Sequence, residues 1–142
     1  MSESIDIKQN EIIEEFEDFE DWEEKYSYLV EQGTEIANLE DKYKTKENIV
    51  KGCQSQVWMT YGYDKEKDQM IFKADSDALI VKGLISILLR IYSHQSPKEI
   101  LSKELFIFEK IGLKGHLSPS RANGLSSMIR YIKDYALKYD LS

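Results

Sequence analysis

Gln54-Ser55-Gln56-Val57-Trp58-Met59-Thr60-Tyr61 alternates, with Val57, Met59 and Tyr61 on one face and Gln56, Trp58 and Thr60 on the other. A two-residue period is the mark of a strand, whose successive side chains point to opposite sides. Gly62 to Asp68 is polar and turn-forming, and Gln69 to Ala74 alternates again through Met70, Phe72 and Ala74. Two such runs around a short polar connection predict an antiparallel hairpin. Helical patterns lie on both sides of it, so the chain reads as an α+β domain: a small antiparallel sheet packed against several helices.

Upstream, residues 1–6 are expected to fray. A first helix is predicted from about Ile7 to Phe19, with Ile12, Ile13, Phe16 and Phe19 on one stripe and glutamates opposite. Asp21, with Glu24 three residues on, reads as the cap of a second helix. Trp22, Tyr26, Leu29 and Val30 carry that helix as far as Gly33, which suits a position just past its end. Ile36 and Leu39 suggest a short turn before the charged connection Glu40 to Glu47.

Downstream, Asp75-Ser76-Asp77 reads as the cap of a helix beginning near Ala78, since a carboxylate suits the positive end of a helix dipole. Val81, Leu84, Ile85, Leu88, Leu89 and Tyr92 give this helix a broad apolar face, making it the expected core helix. Gly83 sits inside it at a cost of about 1 kcal/mol relative to alanine, which close packing of another backbone would offset. Ser96-Pro97-Lys98-Glu99 is a helix start, followed by a short helix to about Leu101 and another from about Lys103 to Ile111. Gly112 to Gly115 breaks the chain, and Ser118-Pro119 opens a last helix carrying Leu125, Met128, Ile129, Ile132 and Ala136.

The 142 residues fit one domain, 1–142, with 42% hydrophobic and 32% charged residues. A single cysteine excludes an internal disulfide and points to a reducing, cytoplasmic setting. No signal peptide is evident, and the apolar stretch from Leu84 to Leu89 is far too short to span a membrane. Net charge is −7, with much of the excess in Glu11 to Glu24, so nucleic acid is not an expected partner. A solvated helix face is the ordinary reading of that acidic run.

Phosphate-binding glycine motifs, Cys-x-x-Cys and histidine pairs at metal-ligand spacing are missing. Cys53, His94 and His116 are too scattered to argue for a metal, and one thiolate cannot hold an iron–sulfur cluster. A Cys–His hydrolase on Cys53 and His116, with Asp75 or Asp77 orienting the imidazole, is one reading of the titratable residues. Composition alone favours a buried, inert Cys53, because free cysteine is among the most buried residue types. Its placement after Gly52, in a polar Gly-Cys-Gln-Ser-Gln context, favours a reachable thiol instead. Lys51 would favour the thiolate if its ammonium came close.

Asn48-Ile-Val-Lys-Gly-Cys-Gln-Ser-Gln-Val-Trp58 resembles the signature of the SufE family of sulfur acceptors. Asp75-Ser-Asp-Ala-Leu-Ile-Val-Lys-Gly-Leu84 resembles the family's second motif, and His116-Leu-Ser-Pro-Ser-Arg-Ala-Asn-Gly-Leu125, with Met128 and Ile129, its third. Asp21-Trp-Glu-Glu-Lys-Tyr26 is also similar to members of the family. The resemblance implies a SufE-like fold and an accessory role in iron–sulfur cluster assembly. Cys53 would accept persulfide sulfur from a cysteine desulfurase of the SufS type, stimulate that enzyme, and pass the sulfur to a scaffold of the SufBCD type. It implies no cofactor on this chain and pyridoxal phosphate on the desulfurase. Gly52, Gln54, Ser55, Gln56, Asp75, Asp77, His116 and Arg121 would support the loop or meet the partner, Arg121 through a carboxylate or carbonyl. A non-covalent regulatory module is the remaining alternative.

Overall fold

The hairpin forms where the alternation puts it. Strand β1 (Val57–Asp64) pairs antiparallel with β2 (Gln69–Ser76), Val57 opposite Ser76 and Asp64 opposite Gln69. The computed structural model describes residues 4–140, the side chain of Lys114 apart. Among them six helices flank this two-stranded sheet: α1 (Ile5–Glu17) and α2 (Trp22–Ile36) before it, then α3 (Leu79–Tyr92), α4 (Pro97–Ser102), α5 (Ile107–Lys110) and α6 (Pro119–Leu137).

One face of the hairpin buries Val57, Met59, Met70, Phe72 and Ala74. Tyr61 and Tyr63, on the same face, stack on Tyr135 and Tyr139 near the end of α6, with ring centroids 4.1 and 4.6 Å apart. α3 is the core helix the pattern predicts: Val81, Leu84, Ile85, Leu88, Leu89 and Tyr92 are all buried.

Several boundaries differ from the sequence reading, each for a reason that lies far along the chain. α1 begins at Ile5 because the Ser4 hydroxyl accepts the Ile7 N–H, and Ile5, fully buried, donates its own N–H to the Glu99 carboxylate. The expected fraying of residues 4–6 is therefore not observed; the rest of that expectation falls on residues outside those described. α2 does not stop at Gly33 but runs to Ile36, because Gly33 is where α2 crosses α3. A Cβ on Gly33 would lie 2.5 Å from the backbone nitrogen of Gly83. The glycine inside α3 thus has the close backbone neighbour its cost called for.

The helix expected over Lys103 to Ile111 shrinks to α5. The buried Gln9 side chain of α1 accepts the N–H groups of Phe106 and Ile107 at 2.8 and 3.1 Å, capping α5 from outside. Ser96 and Ser118 cap α4 and α6 as predicted, accepting the N–H groups of Glu99 and Arg121. No helix among the described residues is long and apolar enough to cross a membrane.

Candidate functional site

The loop between Val50 and Val57 is closed at its base by a hydrogen bond from Val50 N–H to Val57 C=O, 2.8 Å. Gly52 turns it with φ +96°, a conformation that glycine takes without strain. One face of α6 receives the loop through three residues at helical spacing, Gly124, Ser127 and Tyr131. The Lys51 N–H donates to the Tyr131 hydroxyl at 2.9 Å, Gly52 lies against Ser127, and the Cys53 thiol donates to the Gly124 carbonyl at 3.6 Å. The far limb is tied at Gln56, whose N–H donates to Asp77 Oδ1 at 3.1 Å and whose carbonyl accepts from the Ser76 hydroxyl at 2.7 Å.

Cys53 is half-buried and unpaired. Beside it opens a cleft of about 300 Å³ between α3 and α6, lined by Val81 and Leu84 on one side and Arg121, Leu125 and Met128 on the other, with Gln54 and Ser55 at the rim. Burial pushes the Cys53 thiol pKa up, so the resting sulfur is held protonated. Lys51, exposed, does not offset that effect.

The residues expected around the thiol divide into two groups. Gln54, Ser55 and Arg121 line the cleft; Gly52, against Ser127, and Gln56 and Asp77, through the Gln56 backbone, hold the loop. Arg121 has no carboxylate or carbonyl partner: its guanidinium makes no ion pair or hydrogen bond among the described residues and faces the cleft free.

Asp75 and Asp77 do not cap α3, whose N-cap is Ala78; it is the Ser76 hydroxyl that accepts the Ala78 N–H, at 3.2 Å. Asp75 belongs to β2, is 4% exposed, and pairs with Lys44 at 3.2 Å and Lys82 at 3.3 Å, while Lys44 also lies over the Trp58 ring. His116 does not line the cleft, and its imidazole packs on Trp22 with centroids 3.9 Å apart. Among the described residues no hydrogen bond therefore links Cys53, His116 and an aspartate into a hydrolytic relay. Among the described residues no group of three His, Cys, Asp or Glu could hold a metal ion. Ser127 and Tyr131 were missed by the sequence reading, although their spacing from Gly124 places all three on one helix face.

A family model for SufE, described as an Fe-S metabolism associated domain, matches residues 10–136. The chain belongs to the SufE family. It is 44% identical over 131 residues to an uncharacterized SufE-like protein of Rhizobium etli, covering 89% of this chain and 88% of that one. A second uncharacterized SufE-like protein, from Rhizobium meliloti, is 44% identical over 130 residues, covering 89% and 93%. The solution structure of a hypothetical protein from Thermus thermophilus superposes with a TM-score of 0.75 over 95% of this chain and 97% of that one, at 18% identity. That last likeness shows the fold, a SufE-like α+β domain. SufE membership places the chain in iron–sulfur metabolism, and all three motif stretches lie within the matched residues.

Proposed function

We propose that this chain is the sulfur acceptor of a cysteine desulfurase of the SufS type, carrying sulfur on Cys53 to a cluster scaffold of the SufBCD type in the cytoplasm. The observation that carries this reading is the Cys53 loop: one thiol, half-covered, beside a cleft and with no second cysteine to resolve a persulfide into a disulfide.

The chemistry asked of it is a thiol–persulfide exchange. Cys53 Sγ, as thiolate, attacks the terminal sulfur of the partner's persulfide and a new S–S bond forms on Cys53. The partner's own S–S bond breaks, and its cysteine leaves as a thiolate that takes up the proton Cys53 gave away. Nothing is oxidised or reduced overall. Rate depends on thiolate fraction and on access, and the resting loop limits both. Clearing the partner's persulfide stimulates the desulfurase, whose pyridoxal phosphate supplies the carbon–sulfur chemistry. The unpartnered Arg121 guanidinium is suited to an anionic sulfur in the cleft or to a carboxylate of the partner.

Incubation with the desulfurase and cysteine is expected to add one sulfur to Cys53, read by mass spectrometry of the non-reduced protein. Cys53→Ser should abolish the adduct and the stimulation. Full stimulation by Cys53→Ser would instead make the chain a non-covalent regulator.

A further inference from the structure

We infer that Tyr131 is a positioning residue for Cys53: its hydroxyl, with Ser127 beside it, holds the loop so that the thiol stays seated against Gly124. The two limbs of the loop are held unequally. Beyond Cys53, Gln56 is bound by the Asp77 carboxylate, the Asp77 N–H and the Ser76 hydroxyl, all at the junction of β2 and α3. Before Cys53, between the Val50 base and the thiol, the backbone bonds α6 through the Lys51 N–H on the Tyr131 hydroxyl.

Gly52 lies so close to α6 that a Cβ there would overlap Ser127 Oγ. The limb is therefore both bonded and seated, and releasing it swings Cys53 away from Gly124 about the Gln56 anchor. Tyr131 packs edge-on to Tyr135, centroids 6.1 Å apart, a contact that does not involve the hydroxyl. Its ring can thus be kept while the tie is removed. The charged groups around the thiol are Arg121 in the cleft and, at the two ends of the loop, Lys51 and Asp77, all three exposed. Burial is what lifts the thiol, so loosening the loop has a titration signature as well as a rate.

The geometry stands without any assigned activity; its consequence for sulfur uptake rests on Cys53 being the carrier. The test is alkylation of Cys53 by iodoacetamide in the free, full-length protein across a pH series. Tyr131→Phe should raise the rate about fivefold, the factor expected for one lost hydrogen bond. It should also move the midpoint of the pH profile down toward that of an ordinary thiol. A purely structural tyrosine would change thermal unfolding and leave that midpoint in place.

Gly52→Ala, which pushes the loop off Ser127, should shift both readouts in the same direction. Wild-type rates and midpoints in both variants would overturn the inference. Wild-type sulfur uptake from the desulfurase, measured alongside, separates the two ideas. Uptake with unchanged Tyr131→Phe alkylation removes the positioning role and spares the carrier. Faster alkylation without any uptake does the reverse.

Discussion

The Cys53 thiol donates to the carbonyl of Gly124, 3.6 Å away, and the same glycine leaves the space in which the thiol lies. A Cβ on Gly124 would come 3.4 Å from Sγ and 3.8 Å from the Cα and Cβ of Cys53, which are ordinary contact distances. Alanine therefore fits, and it removes the entropic cost of a glycine inside a helix, up to about 1 kcal/mol. Gly124→Ala is expected to raise stability in urea by up to that amount while crowding the thiol and slowing its alkylation. A destabilised variant would show that the thiol does not keep its seat beside the added methyl group.

Gly33 and Gly83 look alike in sequence and have the opposite prognosis. A Cβ on Gly83 would stand 2.5 Å from Leu29 Cγ and 2.8 Å from the Leu29 carbonyl oxygen, and one on Gly33 would meet the backbone of Lys82 and Gly83. Backbone in a helix crossing cannot step aside as a side-chain tip can. Either glycine changed to alanine should lower stability by at least about 2 kcal/mol, helix propensity notwithstanding. Urea unfolding measures it, and a gain in stability for either variant would mean the two helices can slide apart.

What the sequence disclosed follows from how local each signal is. The hairpin, the face of α3 and the caps at Asp21, Ser96 and Ser118 are set by neighbours within a few residues, and periodicity alone finds them. Gly83 could be read as a close-packing position, but its partner Gly33 looked like a helix end because the crossing is invisible in one dimension. Asp75 and Asp77 looked like caps for the same reason: a carboxylate before a helix is a cap until another segment claims it, as Lys44 claims Asp75 and the Gln56 N–H claims Asp77. At Cys53 composition favoured an inert buried thiol and the motif a working one. The structure holds a thiol half-covered in a tethered loop, which explains why residue statistics and motif pulled apart.

The two aspartates of the second motif should separate cleanly by experiment. Asp75, buried between Lys44 and Lys82, also accepts the Ser76 N–H at 2.8 Å. Asp75→Asn removes a charge from that arrangement and is expected to cost about 1–3 kcal/mol in urea, with Cys53 alkylation close to wild type. Asp77 is exposed and holds the Gln56 limb, so Asp77→Ala should cost at most about 1 kcal/mol and speed alkylation. The reverse pattern would mean that the loop is governed from the Asp75 side.

Glu15 of α1 ties Arg90 of α3 and Tyr28 of α2 into one cluster, and this predicts the pH limits of the fold. Arg90 holds the carboxylate with two N–H bonds, 2.8 and 2.5 Å, and the Tyr28 hydroxyl donates to it. The hydrogen bond from Arg90 keeps the Glu15 carboxyl below its ordinary 4.5, against the opposing effect of burial. A carboxyl lowered on folding stabilises the native state above its unfolded pKa, and that stability is lost as pH falls through the folded value. Tyr28 moves the other way, pushed up to about 12 first by burial and then by its bond to Glu15. Its contribution is complete at neutral pH and is lost as pH rises from the ordinary 10.0 through about 12. Urea midpoints measured across the pH range should therefore fall on both sides. Glu15→Gln should remove its share of the acid fall and shrink the alkaline one. Equal slopes in wild type and variant, at both ends, would show that this cluster does not set the limits.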